Sequence, residues 1–164
     1  MSMPTTSGIA IEPTGTGWRL ACAQRVPRPL AEVFPFYATA RNLERLTPAF
    51  LHFRILHISS EPLAAGARID YALRLHGLPV RWRTRIDEWD PPRRFVDRQV
   101  RGPFRTWLHT HTFRAEGDAT LISDVVLFDL YCRPLARTPV LSWIFADLRT
   151  IFEHRRREVE RVFG

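Results

Sequence analysis

The feature that most constrains the fold is the C-terminal segment, where apolar residues recur every three or four positions. These residues are Leu141, Ile144, Phe145, Leu148, Ile151, Phe152, Val159 and Phe163. The spacing predicts a single helix of more than ~20 residues, about 30 Å long, with one broad apolar face. Thr138 and Pro139 suit its N-cap and first turn. A face of this size must be covered, so the preceding chain is expected to supply a surface for the helix to pack on.

The preceding chain is dominated by strand patterns separated by turn residues. Strands are predicted at residues 18–26, 53–58, 68–76, 80–89, 95–101, 105–114 and 120–130. Two short helices are predicted after the first strand, one ended or kinked by Pro35 and one running from about Thr39 to before Pro48. Strands grouped together with helices at the ends indicate an α+β fold with an antiparallel sheet of about seven strands.

Length and composition indicate one water-soluble domain. The chain has 164 residues, enough for an ordinary core. Residues 1–17 are expected to form a flexible lead-in and residues 18–164 a single domain. The sequence lacks an apolar run of ~18 residues and an N-terminal secretory pattern. Cys22 and Cys132 lie far apart without a CxxC motif, which favours a reduced, cytoplasmic protein.

The net charge is +7, and every basic side chain other than histidine is an arginine. Arg81, Arg83 and Arg85 alternate with apolar residues, so they are predicted to line the outer face of a strand. A second arginine run, residues 155–157, lies towards the end of the long helix. One interpretation is a basic surface for an anionic membrane or a nucleic acid. We prefer the interpretation that both groups of arginines lie on ordinary solvated surfaces. Nucleic acid is disfavoured because the aromatic residues that would stack bases are predicted inward, while a peripheral membrane contact stays open.

Two longer stretches resemble a known superfamily. They are VFPFYATARNLERLTPAFLHFRI at residues 33–55 and GARIDYALRLHGLPVRWRTRIDEWDPPRRFVDRQVRGPFRTWLHTHTF at residues 66–113. Together with the element order, they resemble a bacterial branch of the START-like superfamily, also called SRPBCC or Bet v 1-like, which includes polyketide cyclase/dehydrase-like proteins. The resemblance implies a helix-grip fold, in which a curved sheet wraps around the C-terminal helix and leaves a cavity between them. Relatives bind lipids, hormones, quinones or polyketides, and some are cyclases or aromatases.

Two turns predict which side chains share a face of the sheet. A three-residue loop at residues 102–104 places Asp97 opposite His109, and a two-residue turn at residues 117–118 places His111 opposite Asp124. This face is the more aromatic one and is therefore assigned to the interior. The residues predicted to contact a ligand are Tyr71, Trp82, Asp97, Gln99, Trp107, His109, His111 and Asp124.

These residues place a polar group inside an apolar cup. One interpretation is an anchor for an apolar or amphipathic ligand such as a lipid, a quinone or a polyketide. The other is a satisfied network that holds the strands in register. The pair His109 and His111, completed by Asp97 or Asp124, also has the residue types of a metal site. Two histidines at this spacing are a weak signal, so neither a metal nor a cofactor is predicted.

A catalytic interpretation uses the same residues. A histidine oriented by an aspartate could act as a general base, as in a cyclase, an aromatase or a hydrolase. The sequence contains no nucleophile elbow and no phosphate-binding loop, and no catalytic residue is assigned. Binding is therefore favoured over catalysis.

Overall fold

The computed structural model describes residues 8–131 and 139–164. Cys132, the predicted cap Thr138 and the first seven residues of the predicted lead-in lie outside this part. The strands are β1 Ala10–Thr14, β2 Gly17–Val26, β3 Arg54–Ile58, β4 Arg68–Leu75, β5 Leu78–Asp90, β6 Arg94–Arg101, β7 Thr106–Glu116 and β8 Ala119–Asp129. The helices are α1 Leu30–Ala38 and α2 Pro139–Phe163, and short 3₁₀ turns occupy Ala40–Leu43 and Ala49–Leu51.

All the strands of the described chain form one antiparallel sheet of eight strands, in the order β1-β2-β8-β7-β6-β5-β4-β3. Strands β3 to β8 follow one another as a meander, and β2 returns to pair with β8. The predicted α+β helix-grip fold is confirmed, with one strand more than expected.

Three local expectations need correction. Ala10–Thr14 forms an edge strand paired with β2, so these residues belong to the sheet and not to a flexible lead-in. Helix α1 continues through Pro35 to Ala38. The second predicted helix, from about Thr39 to before Pro48, is replaced by the 3₁₀ turn Ala40–Leu43, and the other 3₁₀ turn begins after Pro48. Side chains help to hold this connection, because Asn42 donates to the Phe36 carbonyl at 2.8 Å and the Thr47 hydroxyl donates to the Leu43 carbonyl at 2.6 Å.

Helix α2 buries the apolar face that its spacing predicts. Leu148, Phe152, Val159 and Phe163 are buried, while Leu141, Ile144, Phe145 and Ile151 pack against the core less completely. Towards the C-terminal end of α2, Val159 and Phe163 join α1 in one core cluster. Towards its N-terminal end, Leu148 and Phe152 join the aromatic residues of β7 and β8 in another. No helix in the described ranges is long and apolar enough to cross a membrane.

The buried and exposed faces of the sheet are the ones that the sequence predicts. On β5, Thr84 and Ile86 are buried, whereas Arg81 and Arg83 are exposed and Arg85 is half-buried. Arg83 and Arg85 are paired with the carboxylates of Asp70 and Asp87. Arg83 grips Asp70 with two hydrogen bonds of 2.6 and 3.1 Å. Pairs this exposed are expected to add little to stability.

The predicted register between β6, β7 and β8 is confirmed at the centre of the sheet. Asp97 pairs with His109, and His111 pairs with Asp124. The loop after β6 differs, because Arg101 pairs with Arg83 of β5 and residues 102–105 make the connection to β7.

Candidate functional site

A cavity of about 230 Å³ lies between the sheet and α2. A buried water needs only ~10–15 Å³ of such space, so the cavity has room for a small organic molecule. Most of its wall is apolar. Strands β4 and β5, the 3₁₀ turns and α2 contribute Leu51, Ile69, Leu73, Ile86, Ile144 and Leu148 to that wall.

Aromatic rings from three strands close one side of the cavity. Tyr71 of β4 stacks on Trp82 of β5 with 5.8 Å between ring centroids, and Trp82 meets Trp107 of β7 edge-on at 5.5 Å. The Tyr71 hydroxyl is hydrogen-bonded to the Thr84 hydroxyl at 3.2 Å. All three predicted aromatic ligand contacts therefore line the cavity.

A cluster of four polar side chains, here called the polar wall, spans β6, β7 and β8. It consists of Asp97, His109, His111 and Asp124. Its strongest contacts run diagonally across the strands: His111 Nε2 lies 2.8 Å from Asp97 Oδ2, and His109 Nε2 lies 2.8 Å from Asp124 Oδ1. His111 Nδ1 also lies 2.9 Å from Asp124 Oδ1, but at an angle too poor for a hydrogen bond. We count that contact as an ion pair.

The polar wall cross-braces three strands, as the structural interpretation of these residues expects. Asp97, His109 and His111 also line the cavity, whereas Asp124 lies outside its lining residues. Asp124 instead lines a small second cavity with Cys22 and Arg155. Burial and the charge of Asp124 raise the pKa of the Cys22 thiol to about 12, so it is not a nucleophile at neutral pH.

The two histidines are held in opposite protonation states. Burial and the positive charge of His111 lower the pKa of His109 to about 4. Burial also opposes a charge on His111, but the ion pair with Asp124 and the hydrogen bond and charge of Asp97 outweigh it and raise its pKa. At pH 6.5 we therefore assign His109 as neutral and His111 as mostly cationic.

Arg155 of α2 adds a positive charge next to the polar wall, and the sequence did not lead us to predict it there. It lines the cavity, and its guanidinium carbon lies 5.5 Å from the centre of the Tyr37 ring. Burial disfavours ionised Asp124, but the charge of Arg155 and the bonds to the histidines overcome this and lower its pKa well below the usual range. The described polar wall and Arg155 thus combine two carboxylates with two cations.

The position of Arg155 corrects its interpretation as part of a solvated arginine run. The available signal was helical spacing, since residue 155 falls between Phe152 and Val159 on the buried stripe of α2. A charge on that stripe, facing a sheet with predicted inward carboxylates, indicates a buried charge interaction between helix and sheet.

Gln99, like Asp124, was predicted to contact a ligand but does not line the cavity. Its amide folds back on the β6–β7 loop, donating to the Phe104 carbonyl at 2.7 Å and accepting from the Phe104 N–H at 3.2 Å. Gly102 makes this clamp feasible, because a Cβ at that position would collide with the Gln99 side chain. The loop therefore satisfies both hydrogen-bonding groups of the Gln99 amide, and the role of Gln99 is structural.

The polar wall fits a hydrogen-bonded network better than a metal site. Asp97, His109 and His111 offer ligand atoms within 4.8 Å of one another. A metal, however, must lie near the plane of each ligating ring at ~2.0–2.1 Å from nitrogen. The two imidazoles instead face each other with 3.7 Å between centroids and 31° between planes. His111 is also sandwiched against Phe95 at 4.1 Å.

Comparisons with known proteins agree with the fold. A protein-family model described as "Polyketide cyclase / dehydrase and lipid transport" matches residues 26–154. No curated protein matches the sequence. Among solved structures, the protein TTHA0849 from Thermus thermophilus is similar with a TM-score of 0.64 at 16% identity, covering 89% of this chain and 99% of that one. The major latex-like protein 151 of Panax ginseng gives 0.66 at 12% identity, with 88% and 96% covered.

Proposed function

Because the chain belongs to the polyketide cyclase/dehydrase and lipid transport family, within the SRPBCC or Bet v 1-like superfamily, we propose that it binds an apolar or amphipathic small molecule. The observation that carries the proposal is the cavity of about 230 Å³ between the sheet and α2. Its wall is apolar over most of its extent and polar at one place, which is the usual composition of a small-molecule site.

The apolar wall provides affinity through the hydrophobic effect, which does not depend on the orientation of the ligand. A ligand body lying against Trp82, Trp107 and Leu148 removes its own apolar surface from water, worth about 25 cal/mol per Å² before the costs of association. The rings are held by mutual packing, so little ordering is needed when a ligand enters. The polar wall orients the ligand, since its atoms must be hydrogen-bonded by water or by a head group.

Ligand binding is tested by narrowing the cavity from its wall. Leu75 lines the cavity and pairs with Leu78, which is 69% exposed on the same hairpin. Leu75→Trp should weaken the binding of a neutral fluorescent probe such as Nile red by about tenfold or more, because the indole fills cavity space. Leu78→Trp is the matched control and should bind like the wild type. Equal weakening by both variants, or no saturable binding to the wild type, would contradict the proposal.

Native mass spectrometry of protein purified without denaturation gives an independent readout. A retained lipid, quinone or polyketide-like molecule would appear as a mass above that of the bare chain, and its loss from Leu75→Trp would assign it to the cavity.

A second candidate is acid–base catalysis on such a ligand, as in a cyclase or dehydratase. It is favoured by one observation: His109 and His111, with rings 3.7 Å apart, have pKa values shifted in opposite directions. Such a divided pair is a common arrangement for a base and an acid. Turnover of a polyketide-like substrate that is lost in His109→Ala, with ligand binding retained, would establish it. The cytoplasmic location and the contact with an anionic membrane stay predictions.

A further inference from the structure

We propose that the cavity selects a ligand whose head group is a neutral hydroxyl, such as an alcohol or a phenol, over one that only accepts hydrogen bonds. This inference rests on the proposed function and specifies the class of ligand. It follows from which atoms of the polar wall are already paired and which are left for a ligand.

The first unpaired atom is Nδ1 of His109. Nε2 of the same ring faces Asp124 Oδ1 at 2.8 Å, and since a carboxylate only accepts, Nε2 carries the proton. Burial and the charge of His111 lower the pKa of His109 to about 4, so the neutral ring has no second proton. Nδ1 is therefore an acceptor. Asp97 Oδ2 lies 4.0 Å from Nδ1 and is also an acceptor.

The second unpaired atom is Oδ1 of Asp97. Oδ2 accepts from His111 at 2.8 Å, whereas Oδ1 has no hydrogen-bond donor among the described residues. Asp97 keeps 17% of its side chain accessible and lines the cavity. Burial would favour the protonated acid, but the hydrogen bond from His111 outweighs it and lowers the pKa of Asp97. This corner of the cavity therefore presents two unpaired acceptors to a ligand.

The donors near this corner are either paired or shielded. His111 directs both ring nitrogens at carboxylates, and Arg155 is attracted by the charge of Asp124 and lies over Tyr37. His111 Nδ1 and Arg155 Nε have no hydrogen-bond acceptor, but both atoms are shielded from solvent. The Nε1–H of Trp82 is unpaired but shielded from solvent among aromatic rings. A ligand that displaces water from His109 and Asp97 must replace the donors that water supplied. An ether or ketone leaves both acceptors dehydrated and unpaired, which costs more than the hydrogen bond itself is worth.

Charge narrows the class further. A carboxylate head would stand beside ionised Asp97 and meet like-charge repulsion. An ammonium would attract Asp97, but the cationic His111 lies in contact with the same carboxylate and Arg155 lies nearby. A neutral hydroxyl donates a hydrogen bond to one of the acceptors and adds no charge to the polar wall, where carboxylates and cations already offset each other.

Three naphthalene derivatives with one ring system test the inference: 2-naphthol, 2-methoxynaphthalene and 2-naphthoate, each displacing Nile red at pH 7.5. Wild-type protein should bind 2-naphthol about tenfold or more tighter than the ether, and 2-naphthoate most weakly. Asp97→Asn and His109→Phe should reduce the ratio of naphthol to ether affinity, whereas Arg83→Ala on the outer face should keep it. Equal affinity of naphthol and ether in the wild type would overturn the inference while leaving the proposed function intact. A ratio unchanged in both inner variants would also overturn it.

A second measurement needs no variant and covers the case in which the inner variants fail to fold. The ¹⁵N resonance of His109 Nδ1 in the wild type should move upfield on addition of 2-naphthol, since its lone pair accepts a proton donor, and stay in place with the ether. An identical response to both would count against the inference. Failure of Nile red and of all three compounds to bind would instead refute the proposed function.

Discussion

Replacing Arg155 by methionine tests whether the cation on α2 holds the ionised polar wall in place. Methionine keeps most of the length and apolar packing of the arginine stem and removes the charge. Arg155 is the largest charge interaction that lowers the pKa of Asp124. Leaving a buried charge such as that of Asp124 without its compensating cation typically costs ~3–5 kcal/mol. We expect about 3 kcal/mol, the lower end, because Arg155 is only partly buried. For a chain of this size, this corresponds to a fall in Tm of roughly 6–12 °C.

Urea unfolding followed by circular dichroism measures the free energy, with an unchanged slope showing that the same surface is exposed. Arg157→Met is the matched control, because Arg157 lies on the same helix and is exposed. It should change stability by about 0.5 kcal/mol or less. The double variant Arg155→Met with Asp124→Asn should recover part of the loss, since the uncompensated carboxylate is gone. A cost for Arg155→Met within about 1 kcal/mol of the control would refute the reasoning that Arg155 compensates the buried charge of Asp124.

Two further predictions concern the core and the histidines. Leu148→Ala should lower the free energy of unfolding in urea by ~2–5 kcal/mol, because Leu148 is 5% exposed. Leu127 is 44% exposed, so Leu127→Ala should lower it by less than about 1 kcal/mol. Similar costs would mean that α2 does not depend on this contact. At pH 6.5, long-range ¹H–¹⁵N spectra should show His109 neutral with its proton on Nε2 and His111 doubly protonated. The depressed pKa of His109, about 4 against 6.5, makes its stabilising contribution complete above pH 6.5 and lost as the pH falls towards 4, by roughly 3 kcal/mol. The raised pKa of His111 acts in the opposite sense, and its contribution is lost only as the pH rises through that pKa. Finding both rings in the same state would contradict the assignment.

The sequence predicted the centre of the sheet well because two independent constraints agree there. Alternation fixed which residues share a face, and the turns flanking β7 fixed the pairing of Asp97 with His109 and of His111 with Asp124. A slip of one residue would have exposed Phe113 and buried Arg114, so few other registers were feasible. The long helix was predictable for the same reason, since its spacing and its length pointed to one buried face.

The failures arise where a side chain's length or a single charge decides the outcome. Gln99 points inward by alternation, but its amide reaches the adjacent loop and is satisfied there. Arg155 was grouped with Arg156 and Arg157 because runs of charged residues are usually solvated. Its position on the helix, however, falls on the same stripe as Phe152 and Val159, which are buried. Strand β1 contains Pro13, which is tolerated because β1 is an edge strand. The volume of the cavity depends on how far the sheet stands from α2, which side-chain patterns do not encode.

The pairing of β2 with β8 has a consequence for how the molecule is synthesised and matures. Strands β3 to β8 are neighbours in sequence order and can zip together hairpin by hairpin, each closing a short loop. The β2–β8 ladder joins Trp18 to Phe128 and Val26 to Thr120, so it must wait until nearly the whole chain has left the ribosome. Helix α2 emerges later still, and it supplies the roof of the cavity together with Arg155. Until α2 docks, the face of the sheet that carries His109 and His111 lacks this cover and the charge of Arg155. The hydrogen bonds within the polar wall can form with the sheet, but the full burial that lowers the pKa of His109 is acquired only when α2 packs on it.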